Sequence, residues 1–96
     1  MILHVASATE WKASEDKDTF APAAYLKEGF IHCCMQAQLA GVLERYFSGA
    51  TGVVLLEIDE SKLTSPLKYE AATNNQEFPH IYGVINKAAI IRTVIF

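Results

Sequence analysis

Apolar and polar positions divide the chain into short extended runs and a few helical stretches. Ile2 to Ala6 is an apolar run with β-branched residues and predicts an opening strand. Ser7-Ala8-Thr9-Glu10 has the spacing of a capping box, so a helix is expected to start near Ala8. It should carry Trp11 inward and stop in the charged stretch Glu15-Asp16-Lys17-Asp18. Pro22 suits the first turn of a second short helix and Gly29 the left-handed residue that ends it, which puts Tyr25 and Leu26 inside. Phe30 to Cys34 is the next extended segment. From Met35 to Gly49, the positions Met35, Leu39, Val42, Leu43, Tyr46 and Phe47 recur at helical spacing and define one buried stripe.

Gly52 turns the backbone into Val53 to Asp59, a near-continuous apolar run that reads as a central strand. Leu67 to Ala71 follows Pro66 as another strand, and Thr73 to Glu77 is polar and reads as a loop. His80 to Ile85 and Ala89 to Phe96 complete the strands, joined by a turn around Asn86 and Lys87. Helices fall early and strands late, the order expected of an α+β domain with a mixed, mostly antiparallel sheet and two or three helices. The 96 residues leave room for a single domain, and 51% hydrophobic against 20% charged residues supplies enough apolar surface for a core.

Eight Lys and Arg against eleven Asp and Glu give a formal charge of -3, with the basic residues scattered singly. Duplex nucleic acid is bound through clustered phosphate contacts, so no such partner is expected, although one nucleotide needs only a local site. Cys33 and Cys34 are adjacent, and ordinary disulfide geometry is out of reach between neighbours, which points to a reducing compartment. The opening MILHVASATEW has no basic segment followed by a long apolar one, and no run approaches the ~20 apolar residues of a membrane span. The expectation is a soluble, cytoplasmic protein with no membrane partner.

The candidate chemistry lies in the histidines. His4, His32 and His80, the three in the chain, all fall within short apolar extended segments. Side chains alternate across a strand, so His4 shares a face with Ile2 and Ala6, His32 with Phe30 and Cys34, and His80 with Phe78 and Tyr82. Taken singly, such a histidine is more often a core residue satisfied by a backbone carbonyl. Together, on strands curving round one cleft, they would converge. A zinc site is not expected, because Cys33 and Cys34 point to opposite faces and no Cys-x-x-Cys or His-x-x-x-His pair exists. Cys34 beside an imidazole could be a nucleophile, or it could be an inert buried thiol. Glu70 could stabilise developing positive charge or stand as a solvated carboxylate at a strand end.

Glu28-Gly29-Phe30-Ile31-His32-Cys33, Gln38, Leu55-Leu56-Glu57-Ile58-Asp59, Lys68-Tyr69-Glu70 and Phe78-Pro79-His80-Ile81-Tyr82-Gly83 resemble, in order, the signature of domain-of-unknown-function family 952. The likeness spans nearly the whole chain. It departs from the family pattern at Cys34, where serine is usual, and at Val84, where proline is usual. The resemblance implies a split sheet related to the ADP-ribosyltransferases and RNA phosphotransferases, holding NAD or a related nucleotide. It marks His4 as a ribose anchor, Tyr82 as a stacking ring and Glu70 as the electrostatic partner of an oxocarbenium-like centre, with His32, His80 and Gln38 in the same cleft. The expected site is then His4, Glu70 and His80 as catalytic groups, with Phe30, His32, Cys34, Gln38, Phe78 and Tyr82 binding the substrate and no metal. Two functions follow as alternatives: an NAD- or nucleotide-using transferase, or a non-catalytic module that holds a nucleotide or small anion in the same cleft.

Overall fold

The computed structural model describes residues 1–47, 52–71 and 75–95. Its strands are β1 (Ile2–Ser7), β2 (Thr19–Phe20), β3 (Ile31–His32), β4 (Val53–Ile58), β5 (Leu67–Ala71), β6 (Glu77–Ile81), β7 (Ile85–Asn86) and β8 (Ile90–Ile95). The helices are α1 (Ala8–Ala13), α2 (Ala23–Glu28) and α3 (Leu39–Phe47), with short 3₁₀ turns at Gln36–Gln38, Glu60–Lys62 and Lys87–Ala89. The result is a small α+β domain. Two three-stranded sheets, ordered β1-β4-β8 and β3-β6-β5, are accompanied by the two-stranded ladder β2-β7. Every pairing among the described strands is antiparallel, so the parallel component expected of a mixed sheet is absent from them.

The two larger sheets meet at one point. Leu3 and Cys34 form an isolated antiparallel bridge, with Leu3 N–H donating to the Cys34 carbonyl and Cys34 N–H to the Leu3 carbonyl, both at 2.8 Å. Beyond that bridge β1 and β3 part, and the sheet is split.

Register explains the core. Ile2, His4 and Ala6 stand opposite Ile58, Leu56 and Val54, and this face joins Phe20, Ile31, Cys33, Ile81, Ile85 and Ala89 in the main apolar cluster. The opposite face of β1 and β4 carries Leu3, Val5 and Leu55, which pack with Cys34, Phe78, Leu39 and Val42 in a second cluster. Residues directly opposite on antiparallel strands share a face. Hence Ile31, Ile81 and Leu67 line one side of β3-β6-β5, and His32, His80 and Lys68 line the other.

Local signals hold at several ends. Ser7 Oγ accepts from Glu10 N–H at 3.1 Å and caps α1. Glu10 does not close the reciprocal half of the box; its Oε2 accepts from Ala23 N–H at 2.7 Å and caps α2 instead. Gly29 ends α2 at φ 84°, a left-handed conformation.

Elsewhere the structure corrects the sequence reading. Leu26 is 87% exposed, because the six residues of α2 turn only Tyr25 toward the core. Met35 precedes the 3₁₀ turn and is exposed, so the buried stripe begins at Leu39; the expected helix end at Gly49 and the side chains of Tyr46 and Phe47 lie outside what is described. His80 to Ile85 is not one strand: the backbone leaves β6 at Tyr82, turns at Gly83 with φ 151°, and re-enters extended structure at Ile85. β6 begins at Glu77 and so takes up the end of the expected loop, of which 73 and 74 fall outside the described residues, as does Phe96. The turn expected around Asn86 and Lys87 is a 3₁₀ turn over Lys87–Ala89 with Asn86, the last residue of β7, as its N-cap. No local pattern of residues marks β2.

Candidate functional site

The split between β1 and β3 opens into a cavity of about 670 Å³, within the range of small-molecule sites. Its walls include His4, Phe30, His32, Cys34, Phe78 and His80, so the three imidazoles line one hollow. They reach it differently. His4 and His80 are buried, at 6% and 5% exposure, whereas 56% of the His32 side chain is exposed.

His4 stands where the strands part. Its Nδ1–H donates to the His32 carbonyl at 2.6 Å, so the ring itself ties β1 to β3 beyond the backbone bridge. A carbonyl only accepts, which fixes the proton on Nδ1 and leaves Nε2 as the second nitrogen. Burial disfavours the imidazolium and lowers the pKa below 6.5; the His32 carbonyl bond opposes this without reversing it. His4 is therefore neutral near pH 7, and its Nε2 lone pair is buried with no hydrogen-bond partner.

His80 is held by a carboxylate. Its Nδ1 lies 2.8 Å from Glu70 Oε1, and the same oxygen accepts from the Tyr82 hydroxyl at 2.5 Å. Those two hydrogen bonds, Tyr82 first and His80 second, hold the Glu70 carboxyl below its ordinary pKa and so ionised. The carboxylate accepts, Nδ1–H donates, and His80 Nε2 is likewise buried without a partner. Two buried imidazoles thus each have one nitrogen fixed and the other uncommitted. Buried polar atoms in native proteins are nearly always paired, which makes these two informative.

Phe30 binds the histidines into a unit. Its ring stacks on His80 at 4.3 Å between centroids and meets His32 edge-on at 4.8 Å, while His32 and His80 are 5.2 Å apart. His32 Nε2–H donates to Glu28 Oε2 at 2.8 Å, the first cause of a lowered pKa at Glu28. Cys34 contributes an apolar wall, since burial raises its thiol pKa to about 11 and little thiolate exists near neutrality.

Three expected site residues are placed off the cavity wall. Glu70 and Tyr82 stand behind His80 and act on the cavity through it. The Tyr82 ring has Lys68 Nζ over it at 4.8 Å and Phe30 at 5.4 Å, so the aromatic rings on the wall itself are Phe30 and Phe78. Gln38 is spent on structure: Oε1 accepts from Met35 N–H and Nε2 donates to the Glu77 carbonyl, both at 2.9 Å. Conversely, Glu28 and Arg45 line the cavity and were not singled out from the sequence, although Glu28 lies within the EGFIHC block. Among the described residues no group of three or more His, Cys, Asp and Glu side chains could hold a metal ion, and no helix is long and apolar enough to cross a membrane.

The chain is similar to protein CC0527 from Caulobacter crescentus, whose crystal structure superposes with a TM-score of 0.88 at 30% identity, covering 97% of this chain and 82% of that one. The solution NMR structure of the same protein gives a TM-score of 0.81 at 30% identity, covering 97% and 81%. No curated protein matches. The family described as "Protein of unknown function (DUF952)" matches over residues 5–93, and the chain belongs to it.

Proposed function

We propose that the chain is a nucleotide-using transferase of ADP-ribosyltransferase-like fold, with NAD or a related nucleotide held in the split sheet. The observation that supports this is the pair of buried, partnerless Nε2 atoms on His4 and His80 in residues that line one cavity. Donor chemistry suits the ligand: His4 Nε2 is a fixed acceptor for a ribose hydroxyl, Phe30 and Phe78 offer apolar surface to a base, and Arg45 supplies a cation among the described lining residues. NAD contributes an ADP-ribosyl group on a carbon whose bond to nicotinamide breaks. His80, with Nδ1 held by Glu70, takes the proton of the incoming acceptor hydroxyl on Nε2. Glu70 is then a positioning residue, and Tyr82 steadies it. The setting of this reading is the cytoplasm, where the free thiols of Cys33 and Cys34 persist.

Incubation of the pure protein with NAD tests the proposal. Nicotinamide release by the wild type, reduced in His4→Ala and Glu70→Ala, is expected; equal background in all three samples would overturn it.

A second reading, a binding module without catalysis, is favoured by Glu70, which is engaged by His80 and Tyr82 and does not line the cavity. It predicts a higher thermal midpoint with a nucleotide that is recovered unchanged, because a ligand of the native state stabilises it by mass action. No shift across a nucleotide panel would remove this reading.

A further inference from the structure

His32 and His80 are direct partners in the β3–β6 register, so their rings stand side by side on the same face. Each has one nitrogen committed to a carboxylate: His32 Nε2 to Glu28 and His80 Nδ1 to Glu70, both at 2.8 Å. The opposite nitrogens, His32 Nδ1 and His80 Nε2, have no partner among the described residues. The two dyads also differ in exposure, since His80 is buried and His32 is open to solvent. A carboxylate behind an imidazole fixes its tautomer and supports the charged ring, the arrangement expected of a group that moves protons.

Two such groups are one more than NAD needs. Nicotinamide leaves as a neutral ring and takes no proton, so a single base for the acceptor would suffice. A base paired with an acid is required where the nucleophile loses a proton and the leaving group departs as an alkoxide.

We propose that His80–Glu70 and His32–Glu28 are a paired base and acid, and that the substrate is a short ribose phosphodiester with a free 2′-hydroxyl. This rests on the transferase reading above and narrows its substrate class. His80 Nε2 takes the 2′-hydroxyl proton, and O2′ forms a bond to phosphorus. The bond from phosphorus to O5′ breaks with its electron pair on O5′, which takes a proton from His32 Nδ1. The products are a 2′,3′-cyclic phosphate and a free 5′-hydroxyl. Water then returns a proton to the exposed His32, and His80 gives one up. Ring centroids 5.2 Å apart let both imidazoles address a single phosphorus centre, and Arg45 lines the same cavity. A net charge of -3 with scattered basic residues suits a substrate of one or two nucleotides rather than a long strand.

The test uses two diesters that differ in the leaving group: uridylyl-3′,5′-adenosine, which leaves as an alkoxide, and uridine 3′-(4-nitrophenyl phosphate), whose nitrophenolate needs no acid. The wild type is expected to turn over both. His32→Ala and Glu28→Gln should slow the dinucleotide by roughly 10²-fold or more and the nitrophenyl ester by no more than about threefold, whereas His80→Ala should slow both by roughly 10²-fold. Retained turnover of the nitrophenyl ester shows in the same assay that the variants are folded. Equal losses on both substrates in His32→Ala, or no turnover of either diester by the wild type, would overturn the proposal. Nicotinamide release from NAD by a preparation that cleaves neither diester would overturn the acid–base pairing while leaving the transferase reading standing.

Discussion

The two three-stranded sheets are made from similar residues and do different work. In β1-β4-β8 the strands β1 and β4 are covered on both faces: Ile2, Ala6, Val54, Leu56 and Ile58 on one side, Leu3, Val5 and Leu55 on the other. Its half-buried carboxylate, Glu57, is neutralised by Arg92, which reaches it at 2.6 Å. In β3-β6-β5 one face enters the core through Ile31, Cys33, Leu67 and Ile81, and the other holds His32, Lys68 and His80 in a row. A sheet packed on both sides makes a titratable group costly unless it is paired, as Glu57 is with Arg92. A sheet with one face turned to a cleft leaves its titratable groups within reach of a ligand. His4 is the buried histidine of the first sheet, and it lies where that sheet parts from the second.

The sharpest way to break this contrast is Leu56→Ala. Leu56 is fully buried at the centre of the first sheet, and truncation should cost about 2–5 kcal/mol in urea unfolding. A cost comparable to that of a surface substitution would mean that the first sheet is not the structural one. Gly83→Ala probes the end of the second sheet. At φ 151° a Cβ there would lie 2.8 Å from Ser65 Cβ, so a loss of about 1–3 kcal/mol is expected, with the β6 exit shifted.

His4 predicts a pH dependence. The unfolded ring takes a proton near 6.5 and the buried ring only at lower pH, with Glu10 and the His32 carbonyl working against the shift and the His32 ring with it. The unfolded state therefore binds more protons in that window, and stability complete above pH 6.5 is lost as the pH falls below it. The denaturation midpoint should drop between pH 7.5 and 5.5, and less steeply in His4→Gln; parallel curves would contradict the assignment. The acids with lowered pKa values, Asp59, Glu28, Glu60 and Glu70, act below this window. Smallest of all, Lys68→Ala on the open face of the second sheet should change stability by no more than about 0.5 kcal/mol.

Much of the fold is legible along the chain because the signals are local. The apolar run of β4, the cap at Ser7, the stop at Gly29 and the spacing of Leu39 and Val42 each depend on a few neighbouring residues. β2 is not legible, since its two residues are extended only through pairing of Thr19 with Asn86 and Phe20 with Ile85, far away in sequence. Leu26 misleads for a related reason: six residues of helix are too few for periodicity to tell one apolar side chain from its neighbour. In the site, strand alternation puts each histidine on a face, but which faces meet is a matter of register between strands. The partners of His80 and the tie from His4 to the His32 carbonyl come from that register. The role of Glu28 is not legible in the sequence because it sits at the end of α2, and its link to His32 crosses the left-handed turn at Gly29.

Leu3 and Cys34 join the sheets through two backbone hydrogen bonds, and those bonds set the aperture of the cleft much as the last closed tooth sets the opening of a zip. Their two amides are consequently gauges of cleft width. A ligand that draws β1 and β3 together slows amide exchange at Leu3 and Cys34 whether or not it touches either, and one that forces them apart speeds it.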